Sequence, residues 1–157
     1  MENFIQDAAA AGVDGLLVLD LPPEESDNYE ALMKRAGLCQ IYLVAPTTPD
    51  DRMARIVKRG AGFIYYISRE GVTGMQASVA TNLASQIAKI RAHTSLPIAV
   101  GFGISNPAQA KAVAGEADGC VVGSVVVNQI AEHGRSPDLV AKVAAFVKTL
   151  ADAVKTV

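Results

Sequence analysis

Two glycine-bearing turns stand close together late in the sequence, Gly101-Phe102-Gly103-Ile104-Ser105 and Gly123-Ser124. Each follows a short run of β-branched residues. Glycine lets main-chain N–H groups approach an anion closely. Gly123-Ser124 opens a short apolar helical stretch, Val125–Ala131, and a helix N-terminus with a serine hydroxyl suits a phosphate. A third segment, Ser68-Arg69-Glu70-Gly71-Val72-Thr73-Gly74, is the longest non-helical connection. Its two glycines suit a lid that brings Arg69 or Thr73 to a ligand on closing. The chemistry suggested is the anchoring of a phosphate ester. Groups for proton transfer are scarce: Asp20 and Glu70 are the acids at strand ends. His93 and His133 fall at helix ends, where imidazolium complements the helix dipole. Ser/His/Asp sets and metal-ligand spacings are absent from the sequence, and Cys39 and Cys120 are too far apart for a CxxC motif. They read as small buried apolar residues of a reducing compartment.

Strands must deliver these turns to one place. Leu16–Leu21, Gln40–Ala45, Phe63–Ser68, Ile98–Phe102 and Gly119–Val122 read as strands, mostly apolar on both faces as in a buried parallel sheet. Helices are expected over Asn3–Ala11, Glu24–Ala36, Pro49–Arg59, Ser78–His93, Pro107–Ala114 and Pro137–Val154. Gly12 and Gly37 follow the first two as helix stops, and Thr48 precedes the third as its N-cap. The first helix presents Phe4, Ile5, Ala8 and Ala11 on one face. The last has Leu139, Val140, Val143, Phe146, Val147 and Leu150 as its inner stripe. Alternating βα units of this length make an α/β domain. It is either an open doubly wound sheet or part of a TIM (β/α)8 barrel, whose phosphate site lies after its last two strands.

At 157 residues, with half of them apolar and 19% charged, the chain is one domain, residues 1–157, able to bury a core. A net charge of −2 and the lack of a basic face argue against nucleic-acid binding. Apolar runs are too short to cross a membrane as a helix, and the N-terminus lacks a signal-like pattern, so a cytoplasmic protein is expected.

Five segments carry a family resemblance: GVDGLLVLDLPPEES (12–26), YLVAPTTPDDRMARI (42–56), GFIYYISREGVTG (62–74), LPIAVGFGISNPAQA (96–110) and ADGCVVGSVVV (117–127). Together they resemble the C-terminal part of the tryptophan synthase alpha subunit family. The resemblance implies strands four to eight of a (βα)8 barrel, about five of eight units. It also implies a lyase of tryptophan biosynthesis that cleaves indole-3-glycerol phosphate to indole and glyceraldehyde 3-phosphate without a metal or organic cofactor. Indole then passes to a beta subunit. By the same resemblance Gly74, Gly103, Gly123 and Ser124 bind the phosphate, and Tyr65 and Phe102 line the indole pocket. Thr73 supports a catalytic aspartate on lid closure, and Arg69 and Gly71 are lid positions. Asp20 and Pro22 lie in a loop facing the beta subunit. The family's acid/base glutamate and its aspartate belong to the second strand and the loop after it, upstream of anything matched here, so no catalytic carboxylate is expected in this chain. The fragment alone is expected to be inactive, or to serve as a phosphate-ester-binding or beta-subunit-interaction module. Open barrel edges imply self-association or rearrangement toward an open sheet.

Overall fold

The computed structural model describes residues 1–68, 76–101 and 103–157, without the side chains of 76–81. Its strands are β1 (Gly15–Leu17), β2 (Cys39–Val44), β3 (Ile64–Ile67), β4 (Ile98–Gly101) and β5 (Gly119–Val121). Its α-helices are α1 (Glu2–Ala10), α2 (Asp27–Arg35), α3 (Asp50–Arg59), α4 (Gln76–Arg91), α5 (Pro107–Ala114), α6 (Ser124–His133) and α7 (Leu139–Val154).

The strands form one parallel sheet in the order β1-β2-β3-β4-β5. That order decides between the two architectures. A doubly wound sheet reverses direction at a switch point, which sends helices to both faces. Here every strand pairs with its predecessor, and right-handed crossovers put the connecting helices α2, α3, α4 and α5 on the same side. The result is a half-barrel, five consecutive units of the (βα)8 fold.

Burial follows the same division. On the helix-facing side Tyr42, Val44, Ile64, Tyr66, Ile98 and Val100 are buried. They pack under Met53, Ile56 and Val57 of α3, Leu83, Ile87 and Ile90 of α4, and Ala110 and Val113 of α5. On the other side Ile41, Leu43, Tyr65, Ile67 and Ala99 are only half-buried. The strands are apolar on both faces, as their sequence indicates, yet only one face is covered. A second cluster of Ile5, Ala8, Tyr29, Leu32, Met33 and Leu38 holds α1 and α2 at the β1 end.

Several boundaries move from their expected places. β1 stops at Leu17, and Val18, Leu19 and Asp20 are exposed. β1 pairs only with β2, and Pro22-Pro23 cannot donate to a ladder. The second helix is divided. Pro23–Glu25 form a 3-10 turn, and α2 starts only at Asp27. Ser26, fully buried between them, sets its hydroxyl 2.9 Å from the Pro23 carbonyl oxygen. Pro49, and not Thr48, is the N-cap of α3. The Thr48 hydroxyl instead accepts from the Ala45 amide at 3.0 Å. Gly12 and Gly37 take the left-handed conformation that ends α1 and α2. In α7 only Leu150 is buried, while Val140 is 79% and Val147 41% exposed, because little lies beyond the β5 edge for them to cover. Phe4 of α1 is likewise exposed.

Polar ties secure the strand starts and the helix layer. Asp118, just before β5, accepts from the Ile98 amide at 2.8 Å and from Arg91 at 3.0 Å. The Ile98 amide is the main reason its carboxyl lies below the usual range, and it outweighs partial desolvation. Around Ser26, Glu30 Oε1 lies 2.7 Å away and Tyr42 Oη 2.6 Å away, and Arg59 Nε donates to Glu30 at 2.8 Å. Tyr42 also donates to Glu30, and Arg59 pairs with Asp27. Burial alone raises the Glu30 carboxyl, but the bonds from Arg59, Tyr42 and Ser26 prevail and hold it below its ordinary value. Cys39 and Cys120 are free and half-buried rather than fully buried. Burial raises the Cys120 thiol above its usual range.

Candidate functional site

Parallel strands in sequential order bring their C-terminal ends to one rim, where barrel chemistry is carried out. At the β3–β5 end of that rim lies a cleft of about 480 Å³. Tyr65 enters it from β3, Gly103, Ile104 and Ser105 follow β4, Val121 ends β5, and Gly123–Val125 with Asn128 open α6. The cleft therefore joins four residues singled out from sequence: Tyr65, Gly103, Gly123 and Ser124. Gly101 faces the same interior. A Cβ there would lie 2.2 Å from the Tyr65 hydroxyl, so glycine at this position makes room for the phenol. The register aligns Tyr65 with Ala99 and Ile67 with Gly101, and β5 adds Gly119 and Val121. Small residues on β4 thus open space beside larger ones on β3.

Two helices start beside the cleft, and their ends are finished differently. At α5, the Asn106 side chain accepts from the Gln109 amide at 3.0 Å. The Ser105 amide in turn donates to Gln109 Oε1 at 2.8 Å. That end satisfies itself. At α6 the N-cap is Gly123, and among the described residues no side chain caps the helix. The amides of Val126 and Val127 turn back to the Gly123 carbonyl at 2.9 and 3.1 Å. The Ser124 and Val125 amides precede the first intrahelical bond and face outward with the positive end of the helix dipole. Gly103 has φ +72°, a conformation costly for any residue with a Cβ. Gly123 has ordinary φ, and a Cβ there would meet nothing within 4 Å. Among the described residues, open space and not backbone strain surrounds this glycine.

The cleft's described lining carries no carboxylate, imidazole or amine. It can hold and orient an anion with main-chain amides and the Ser124 hydroxyl. It offers no strong base.

Asp20 and Pro22 lie elsewhere on the rim. They line a separate cleft of about 300 Å³ between the β1 and β2 ends, with Leu19, Tyr42, Thr48 and Arg52. Arg52 donates to Glu24 at 2.9 Å and ties α3 to the turn after this loop. His93 lies just beyond α4, and His133 ends α6. Arg69, Glu70, Gly71, Thr73, Gly74 and Phe102 lie outside the described residues. Sequence reasoning missed Val121 and Asn128, and read Gly101 as part of the anion-binding turn rather than as room for the Tyr65 phenol. Alternation along β4 and β5 points Gly101 and Val121 inward, and a one-turn step along α6 from Ser124 gives Asn128. Among the described residues there is no group of His, Cys, Asp and Glu that could hold a metal ion, and no helix is long and apolar enough to cross a membrane.

Residues 1–155 match the family model described as tryptophan synthase alpha chain. The tryptophan synthase alpha chain of Opitutus terrae is 52% identical over 151 residues, 96% of this chain and 57% of that protein. The one from Geotalea uraniireducens is 46% identical over 157 residues, all of this chain and 58% of that protein. Among solved structures, tryptophan synthase subunit alpha from Legionella pneumophila str. Paris superposes with a TM-score of 0.86 at 34% identity, covering 99% of this chain and 57% of that one. A mutant alpha-subunit from Pyrococcus furiosus gives 0.81 at 32% identity, covering 96% of this chain and 60% of that one. The chain thus spans a little over half the length of the relatives it matches.

Proposed function

Since the chain belongs to the tryptophan synthase alpha chain family, we propose that it carries the phosphate site, lid and part of the indole pocket of the lyase that cleaves indole-3-glycerol phosphate. Gly103, Gly123 and Ser124, with Gly74, hold the phosphate. Tyr65 and Phe102 flank the indole ring. Arg69 and Thr73 belong to the lid that closes over the substrate. The observation that carries this reading is the single cleft joining Gly103 to the uncapped start of α6 at Ser124. Main-chain amides there meet a dianion at the positive end of a helix.

Cleavage protonates the indole C3 and removes a proton from the glycerol hydroxyl, which needs an acid and a base. Those carboxylates belong to a part of the barrel this chain does not contain. The chain supplies an anchor, which lowers the entropic part of the barrier by fixing the substrate's position. The loop holding Asp20 and Pro22 meets the beta subunit.

Titration with glycerol phosphate tests the anchor. Saturable binding is expected, and Ser124→Ala or Gly103→Val is expected to weaken it by about tenfold or more, about 1.4 kcal/mol or more. Binding that both variants leave unchanged would refute the assignment.

A further inference from the structure

Helix α6 opens Ser124-Val125-Val126-Val127-Asn128, two polar residues one turn apart with valines between them. Residues four apart share one face of a helix, and helical side chains lean back toward the N-terminus. Asn128 lines the same cleft as Ser124. Its carboxamide therefore stands on the wall that leads to the outward-facing Ser124 and Val125 amides. We propose that Asn128 is a further substrate-contact residue, whose Nδ2–H donates to a phosphoryl oxygen beside the Ser124 hydroxyl. The inference rests on the phosphate reading above and adds to it a side chain that reading does not use.

The supply of donors favours this role. A phosphate ester presents three strong acceptor oxygens. The described lining of the cleft holds no cation to meet them, so neutral donors must serve. Several that lie nearby are already engaged. The Val126 and Val127 amides turn back to the Gly123 carbonyl. The Ser105 amide and hydroxyl both donate to Gln109 Oε1, at 2.8 and 3.0 Å. The Tyr65 hydroxyl stands against Gly101 of β4, across the cleft from α6. On α6 itself this leaves the Ser124 and Val125 amides, the Ser124 hydroxyl and the Asn128 carboxamide. Asn128 is exposed, and no hydrogen bond holds its side chain elsewhere among the described residues. A carboxamide gives the ester a donor without a titratable charge.

A titration of the isotope-labelled chain with glycerol phosphate, following the Asn128 Nδ2–H pair by heteronuclear NMR, tests the proposal. The pair should shift saturably, with the same midpoint as the Ser124 backbone amide. Asn128→Ala should weaken binding about threefold to tenfold, the worth of one neutral hydrogen bond. Asn128→Asp keeps the shape but turns a carboxylate on the ester, and should weaken binding about tenfold or more. Neither change burdens α6, since Ala is a better helix former than Asn and Asp about its equal, so the denaturation midpoint should not fall. Gln129→Glu adds the same charge one residue on, outside the cleft lining, and should alter affinity less than about threefold because solvent screens it. A shift at the Ser124 amide with an unmoved Asn128 pair, or weakening by Gln129→Glu equal to that by Asn128→Asp, would overturn this inference and leave the phosphate seat standing. No saturable shift at either residue would overturn both.

Discussion

Gly103 and Gly123 stand at matching places after neighbouring strands but are glycine for different reasons. Gly103 sits at positive φ, where a Cβ strains the backbone whatever the space around it. Gly103→Ala should cost about 1 kcal/mol or more, seen as a lower midpoint in chemical denaturation. Gly123→Ala meets neither strain nor a neighbour. It should leave stability within about 0.5 kcal/mol, yet reduce glycerol phosphate affinity about tenfold, because the added methyl stands where the ester would approach. A Gly123→Ala protein that is destabilised but binds normally would reverse this division. Both glycines can be picked out in the sequence, since each follows a β-branched run. Their different reasons cannot, because φ and neighbouring space depend on the folded chain.

The strand–helix alternation was legible because βα units place covered apolar runs and amphipathic helices at regular intervals. The misplaced boundaries have local chemical causes. Ser26 interrupts what reads as one helix from Glu24 to Ala36, because its hydroxyl faces the Pro23 carbonyl, Glu30 and Tyr42. A pattern of apolar spacing does not register such a bond across elements. Tyr42→Phe should leave Ser26 and Glu30 short of a partner and cost about 1–2 kcal/mol. The cluster also sets an acid dependence. The folded-state pKa of Glu30 is below its unfolded value, so the contribution is fully present above the ordinary glutamate range, about 4.3, and is lost as pH falls through the depressed value. Stability measured between pH 6 and pH 3 should fall less steeply in Glu30→Gln than in the parent chain. Equal slopes would show that Glu30 contributes nothing to acid sensitivity.

At the scale of the molecule, the proposed reading divides catalysis from anchoring. The cleft holds amides, a hydroxyl and a phenol, which suit binding and not proton transfer at carbon. The isolated chain should release little or no indole from indole-3-glycerol phosphate. Turnover at the rate of a complete alpha subunit would show that the proton-transfer groups lie within these residues. The half-barrel itself was only partly legible. The βα alternation by itself leaves an open sheet and a barrel both compatible with five units, since strand order is a property of pairing, and it was the five motif segments that pointed to the barrel. The uninterrupted β1-to-β5 order separates them.

The most direct test is a residue-resolved titration of the chain's backbone amides with glycerol phosphate by heteronuclear NMR. The phosphate seat requires the largest, saturable shifts at Gly103, Gly123, Ser124 and Val125, with little change around Asp20. Shifts confined to other parts of the rim, or none at millimolar ligand, would contradict it.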